Sequence, residues 1–313
     1  MANATRRDFL ATLIRGSLIL AGAPGIVGKG RAQGGKTKEV TSRIIEVQGP
    51  PEKALAELLE GLGGITQFVH SGATVLLKPN MSFANAPEMA TTTSPRLVKA
   101  MIRMCLEAGA KRIIVTDHPM RPSRLCMEKT GMRAVCDGTK GVYLLAADDE
   151  RMYQRVLLDK GKELREVKVL KALLDADVYI NIPKMKAHSA TTVSLGTKGN
   201  MGLIWDRGSF HVRMDLNQAI ADLNTYIRAD LTILDGTRVL IAGGPQGPGP
   251  VEELDCLIGG TDPVAVDAFG AERVQWYGRS FTCREIPHLV ACNQRGVGEI
   301  DLDRVDIKRQ RVS

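Results

Sequence analysis

Short apolar runs of strand length alternate with amphipathic stretches of helical period along most of the chain. The pattern predicts strands at residues 43–47, 75–77, 112–116, 142–145, 153–158, 178–180, 231–234, 257–258 and 304–307. It predicts helices at residues 51–62, 94–108, 123–130, 169–176, 215–227, 262–277 and 285–294. Because such alternation is typical of parallel strands joined by helices, we expect an α/β fold, a mostly parallel sheet with helices on both faces. Residues 118–175 are a candidate irregular insertion.

Near the start of the chain, two adjacent arginines, Arg6 and Arg7, precede an apolar stretch, the pattern of a twin-arginine export signal. Arg15 interrupts the stretch, which disfavours a membrane-spanning helix, and Gly30 and Ala32 fit a cleavage site after Ala32. We predict a signal peptide at residues 1–32, recognition by the twin-arginine export machinery, and a periplasmic or other extracytoplasmic location. The alternatives are a basic amphipathic helix or an uncleaved anchor.

The basic charge of the chain lies mainly in this segment. Residues 1–32 hold five basic residues and one acidic residue, so they carry +4 of the formal +7 and leave +3 for residues 33–313. That remainder gives no reason to expect a nucleic-acid or membrane-surface partner. We expect residues 33–313 to form a single α/β domain with no stable membrane span.

None of the six cysteines forms a CxxC pair, so the sequence has no iron–sulfur cluster motif and no zinc-ribbon spacing. An oxidising compartment permits disulfides, for which Cys126–Cys136 and Cys283–Cys292 are the nearest candidates in sequence. The alternative is that most of these side chains are buried as small hydrophobic groups. The sequence identifies no cofactor.

Polar residues follow the predicted strands at the points where the strands end. Ligands of open α/β sheets bind outside the carboxyl ends of the strands, so these residues should meet at one edge of the sheet. Lysine is suited to phosphate or carboxylate groups, and the lysines here predict a pocket for a small anionic molecule. The predicted ligand-binding residues are Lys78, Asn80, Asn181, Lys184, Lys186, Thr192, Lys198, Asn200 and Asp235.

Two further residues are candidates for proton transfer. His188 follows a buried strand and two lysines, where it could act as a general acid or base. Asp267 lies among apolar residues, and we expect a salt bridge between it and a lysine of the same sheet edge. A structural histidine is the alternative for His188, and Asp262 is equally well explained as a helix N-cap before Pro263.

Several blocks in one order resemble the domain-of-unknown-function 362 family over about residues 74–275. The blocks are Lys78–Asn80, Ile180–His188, Lys198–Gly202, Asp235–Gly236 and Asp262–Ala268. The resemblance implies an α/β domain that is often exported or linked to redox modules, and it implies no particular reaction. Some members of the family carry a ferredoxin-like segment, which this sequence lacks.

Three functions fit the sequence. The first is an exported protein that binds a small anion at the carboxyl ends of the strands, with a redox-associated reaction and a redox partner protein as candidates. The second is a non-catalytic periplasmic ligand carrier or accessory subunit. The third is a metal-dependent hydrolase or isomerase that uses His188 and Asp235, although the sequence contains no metal-binding motif.

Overall fold

The computed structural model describes residues 40–313, so the predicted signal peptide lies outside the described residues. An eleven-stranded sheet and a separate two-stranded hairpin hold the strands of this part of the chain. The strands are β1 (Ser42–Gln48), β2 (Thr74–Pro79), β3 (Arg112–Asp117), β4 (Val142–Ala146), β5 (Tyr153–Leu157), β6 (Glu166–Leu170), β7 (Val178–Ile182), β8 (Lys184–His188), β9 (Thr192–Ser194), β10 (Leu231–Leu240), β11 (Val251–Glu252), β12 (Cys256–Gly260) and β13 (Val305–Arg311).

Ten α-helices connect or flank the strands of residues 40–313. They are α1 (Pro51–Gly61), α2 (Pro95–Glu107), α3 (Ser123–Lys129), α4 (Met132–Cys136), α5 (Lys171–Leu174), α6 (Gly196–Gly199), α7 (Gly208–Arg213), α8 (Leu216–Tyr226), α9 (Pro263–Ala271) and α10 (Pro287–Gln294). Several begin where the sequence predicts, since proline occupies the first turn of α1, α2, α9 and α10.

The main path through the sheet runs in the order β13–β1–β12–β10–β7–β2–β3–β4. The pairs β10–β7, β7–β2, β2–β3, β3–β4 and β1–β13 are parallel, whereas β12 is antiparallel to both of its neighbours. The predicted mostly parallel α/β sheet is confirmed. The orientation of β12 corrects one expectation, that the residues after every strand meet on one side of the sheet. Because β12 is antiparallel, residues 261–262, which follow it, lie at the opposite end of the strands.

Alternate residues of the strands enter two separate hydrophobic cores, one on each face of the sheet. In β2, Leu76 belongs to the core that includes α8, α9 and α10, whereas Val75 and Leu77 belong to the core that includes α1 and α2. Burial on both faces explains why these strands read as continuous apolar runs.

The segment from residue 142 to residue 188 differs most from the prediction. β4 lies at the edge of the main sheet, parallel to β3, and only β5 and β6 form a separate hairpin. The helix predicted at residues 169–176 is instead the end of β6 followed by the short α5. Residues 184–188, expected as a loop, form β8, which pairs with the second half of β10.

All six cysteines are buried and free, as the alternative to disulfide pairing described. Over residues 40–313, none of the helices combines the length and the apolar character that crossing a bilayer requires.

Candidate functional site

β8 carries the densest set of predicted site residues. Met185 and Ala187 point into the hydrophobic core. Since side chains alternate between the faces of a strand, Lys184, Lys186 and His188 share the other face. Alternating charged and apolar residues are the pattern of a strand, and this pattern could have identified β8 from the sequence.

Lys184, at the start of β8, is neutralised within the fold. Its Nζ lies 3.1 Å from Oδ1 of Asp235, and the two side chains are 2% and 0% exposed. Oδ2 of Asp235 accepts a 2.6 Å hydrogen bond from the backbone N–H of Ser94, and Oδ1 accepts one from the hydroxyl of Thr237 at 2.6 Å. Lys184 and Asp235 therefore join β8, β10 and the start of α2.

Lys78, at the end of β2, is neutralised in the same way by a residue at the end of β3. Its Nζ lies 3.1 Å from Oδ1 of Asp117, and each side chain is 1% exposed. Oδ2 of Asp117 accepts hydrogen bonds from the backbone N–H of Met81 at 2.9 Å and from the hydroxyl of Ser82. Gly202 packs over the ion pair, and a Cβ at that position would lie 1.9 Å from Asp117 Oδ1.

A cavity of about 780 Å³ opens beside these ion pairs, next to the residues that follow β2 and β3. Its volume is typical of a site for a small organic molecule. Polar and charged residues that line it include Asn80, Lys186, His188, Ser194, Lys198, Arg207 and His211. Its apolar lining includes Phe83, Met201, Trp205 and Phe210.

Lys186 lies at the cavity without a carboxylate partner in the described chain. Its Nζ donates to the carbonyl oxygen of Thr91 at 2.5 Å and to Oδ1 of Asn80 at 3.4 Å, and it lies 4.9 Å from the centre of the Phe83 ring. Burial lowers the pKa of Lys186 to about 7, and the charges of Lys198 and other lysines act in the same direction.

Lys198, on α6, also lacks an ion pair with any carboxylate of residues 40–313. Burial lowers its pKa to about 8, and the positive charges of Arg207 and Lys78 contribute. Arg207 donates to the carbonyl oxygen of Pro119 at 3.0 Å, and burial lowers the pKa of its guanidinium group. Lys186, Lys198 and Arg207 therefore place three basic side chains at one cavity, and no carboxylate of the described chain forms an ion pair with any of them. The other two basic residues of the lining, Arg155 and Lys168, are paired with Glu166 and Glu150.

A network of buried amides holds α6, and with it Lys198, against the sheet. Asn181 Nδ2 donates to the carbonyl oxygen of Gly196 at 3.1 Å. Asn200 Nδ2 donates to Asn224 Oδ1 at 2.8 Å, and Asn200 Oδ1 accepts from the Tyr179 hydroxyl at 2.6 Å. Asn181 and Asn200 thus position the lysine-bearing helix, and neither borders the cavity.

Asp267 supports α6 from α9. Its carboxylate accepts hydrogen bonds from the backbone N–H of Gly196 at 2.8 Å and from the N–H and hydroxyl of Thr197 at 2.7 Å each. The salt bridge to a lysine expected from the sequence is not among the contacts of Asp267 in residues 40–313, because these three donors occupy both carboxylate oxygens. Desolvation raises the pKa of Asp267 to about 6. Asp262 caps α9 through the N–H groups of Val264 and Ala265, as its alternative interpretation proposed.

His188 accepts a hydrogen bond at one ring nitrogen, which leaves its other ring nitrogen free to donate one. Its Nδ1 accepts a 3.1 Å hydrogen bond from the backbone N–H of Ala190, which places the proton of the neutral ring on Nε2. Burial lowers the pKa of His188 to about 2, reinforced by the charges of Lys198 and Lys186, so the ring is neutral at physiological pH. The ring of His211 on α7 stacks over it at a centroid distance of 6.3 Å.

Four of the predicted site residues, Asn80, Lys186, His188 and Lys198, line the cavity. The others lie behind it, in ion pairs or in hydrogen bonds with amide groups. Thr192 is the exception, since it pairs with His188 at the start of β9 and has a φ of +64°. Arg207, which the sequence analysis missed, has no recognisable motif around it. Within residues 40–313 no three His, Cys, Asp or Glu side chains are grouped as a metal site would require.

Two solved structures resemble the fold of this chain. The lactate racemase apoprotein from Thermoanaerobacterium thermosaccharolyticum matches with a TM-score of 0.46 and 11% identity, over 72% of this chain and 55% of that one. A Thermotoga maritima protein matches with a TM-score of 0.42 and 14% identity, over 80% of this chain and 60% of that one. The chain therefore spans little more than half the length of each of these proteins.

Sequence comparison gives a more specific relationship. The chain is 30% identical to thylakoid-associated protein sll1697 of Synechocystis sp. over 225 residues, which are 68% of this chain and 67% of that protein. Residues 75–272 match the family described as domain of unknown function 362. This range contains β2, β8, α6 and the cavity between them. The chain belongs to the domain of unknown function 362 family.

Proposed function

We propose that this protein binds a small organic anion in the cavity beside β8. The observation that carries the proposal is the convergence of Lys186, Lys198 and Arg207 on the cavity without an ion-pairing carboxylate in residues 40–313. A charge removed from water is costly unless it is paired, and Lys78 and Lys184 are paired within the fold. An anionic ligand would supply the missing partner for Lys198 and Arg207, and for Lys186 in its protonated form.

The lining favours a carboxylate or phosphate group attached to an organic body. The planar guanidinium of Arg207 can donate two parallel hydrogen bonds to either group, and Lys198 adds a compact charge. The Nε2–H of His188 adds a neutral donor. Phe83, Trp205 and Phe210 offer apolar surface to the rest of the molecule, which inorganic phosphate alone would leave unused.

Calorimetric titration of the full chain with malonate, pyruvate and inorganic phosphate tests the proposal. We expect at least one organic anion to bind, with affinity that falls as the salt concentration rises. Lys198→Met should weaken that binding about tenfold or more, which is a loss of about 1.4 kcal/mol. Lys171→Met is the control, since Lys171 is exposed and bonds to the Arg151 carbonyl away from the cavity.

Absence of binding by all three anions, or equal weakening by Lys198→Met and Lys171→Met, would refute the anion site. Binding without any chemical change of the ligand would support the carrier alternative over an enzyme. A redox partner stays a prediction, supported only by the export pattern and the family resemblance.

We also propose that the protein is exported by the twin-arginine route to an extracytoplasmic compartment. The adjacent Arg6 and Arg7 support the route. The name of the Synechocystis relative, a thylakoid-associated protein, is consistent with a location close to a membrane. Replacing both arginines by lysine keeps the charge and should retain the protein in the cytoplasm on cell fractionation. Unchanged export of this double variant would contradict the route.

A further inference from the structure

The two hydrogen bonds that Lys186 donates to the protein can both be made by a neutral amine. A neutral amine has two N–H groups and one lone pair, and Nζ donates to two protein acceptors, the Thr91 carbonyl and Asn80 Oδ1. An ammonium group would carry a third N–H, for which the described chain supplies no oxygen acceptor, only the face of the Phe83 ring. Lys184, two residues away, instead meets a carboxylate.

The charges around Lys186 act in the same direction. Lys78, Lys184 and Lys198 are near enough to lower its pKa, and Asp117, a carboxylate that opposes them, is already paired with Lys78. Burial and neighbouring cations are the two means by which proteins keep a lysine amine nucleophilic near neutral pH. Because Lys186 also borders the cavity, a bound molecule can reach it.

We propose that the amine of Lys186 forms an imine with the carbonyl carbon of a 2-oxo acid bound in the cavity. This inference rests on the proposed anion site, because Lys198 and Arg207 would hold the carboxylate of the acid. The carboxylate and the adjacent carbonyl of a 2-oxo acid match two neighbouring cations and one neutral amine. A simple carboxylate would leave the amine without a role.

The condensation balances within the site. The lone pair of Nζ attacks the carbonyl carbon, the C–O bond breaks, and the oxygen leaves as water with the two hydrogens that the amine loses. Protonation of the imine nitrogen restores one N–H, for which the Thr91 carbonyl is positioned. The Nε2–H of His188, on the same face of β8, is a donor for the oxygen during this step.

Reductive trapping tests the inference. The full chain is incubated with pyruvate and cyanoborohydride, and the modified lysines are located by peptide mass spectrometry. We expect one dominant adduct at Lys186, absent from Lys186→Arg and retained in Lys171→Arg. The rate of trapping should reach half its maximum near pH 7, since the pKa of Lys186 is about 7. Exposed lysines reach it at about pH 10.4.

Trapping spread over exposed lysines would overturn the imine. So would trapping at Lys186 whose rate depends on pH in the same way as that of exposed lysines. Titration with malonate, which has no ketone, separates the two proposals. Malonate binding without an adduct would leave the anion site and remove the imine. An adduct at Lys186 without malonate binding would contradict the role of Lys198 and Arg207 in holding the carboxylate. If no adduct forms and malonate does not bind, both proposals are refuted. If Lys186→Arg does not fold, the pH dependence of the wild-type reaction alone decides.

Discussion

Asp117 forms its ion pair with Lys78, at 3.1 Å, and forms none with Lys186 or Lys198 within residues 40–313. Gly202, which packs over the pair, lines the cavity, so the pair lies one layer behind the cavity wall. Asp117 thus neutralises a lysine that does not line the cavity, whereas Lys186 and Lys198 line it and remain available to an anionic ligand.

Gly202→Ala should destabilise the protein, because the added Cβ would lie 1.9 Å from Asp117 Oδ1 and 2.8 Å from Lys78 Cε. We expect a loss of about 1–3 kcal/mol in the free energy of unfolding, measured by urea denaturation. Gly199→Ala is the matched control, since its nearest contact would be the Pro183 Cβ at 3.6 Å. Equal stability of the two variants would show that the ion pair can move away from Gly202.

Asp222→Ala should detach the loop between β5 and β6. Asp222 Oδ2 accepts hydrogen bonds from the backbone N–H groups of residues 162–164, and Oδ1 lies 3.1 Å from Nε of Arg295. Loss of this buried carboxylate should cost about 3–5 kcal/mol of unfolding free energy and increase proteolysis at the loop. Asp215→Ala removes only the N-cap of the same helix and should cost about 1 kcal/mol. Cleavage at equal rates in both variants would contradict the anchoring role.

The stability of the protein should fall below about pH 6.5 partly because of His188. Burial lowers its folded-state pKa to about 2, so the unfolded chain takes up a proton that the folded ring refuses. The contribution is present above the unfolded pKa and is lost as the pH falls. The part lost by about pH 5 is about 2 kcal/mol.

His188→Gln should therefore flatten the acid limb of a plot of unfolding free energy against pH. His70→Gln, a change at an exposed histidine, should leave the limb unchanged. The same acid limb in wild type and His188→Gln would mean that His188 is protonated equally easily in the folded and unfolded states.

Thr192→Asn should relieve backbone strain at the first residue of β9. Thr192 has a φ of +64°, a backbone region that a β-branched residue rarely adopts and asparagine tolerates. The expected gain is about 1 kcal/mol in unfolding free energy, read from chemical denaturation. Thr139→Asn, at a position without a positive φ, should give no such gain. A loss of stability at Thr192 would reveal a contact that the hydroxyl makes in solution.

The sequence predicted the sheet well because its strands are buried on both faces and separated by capped helices. It placed Lys78 and Asn181 at equivalent strand ends, and the two residues are register partners in β2 and β7. It could not predict that β12 runs antiparallel, because direction depends on which strand is the spatial neighbour.

The sequence also did not reveal which charged side chains pair with each other. Lys184 and Lys186 lie two positions apart and look alike in sequence, yet only Lys184 meets a carboxylate, Asp235, which is supplied from β10. Asp267 was expected to meet a lysine and instead meets the backbone of α6. Which partner a charged residue contacts depends on side-chain distances of a few ångströms, and these distances cannot be read from spacing along the chain.

Lys186, Lys198 and Arg207 belong to β8, α6 and the residue before α7, segments that no ion pair of residues 40–313 joins to one another. A molecule that contacts all three would act as a tertiary cross-link, so its departure would loosen three parts of the chain at once. The empty protein should then exchange its amide hydrogens faster around Lys198 and Arg207 than the loaded one.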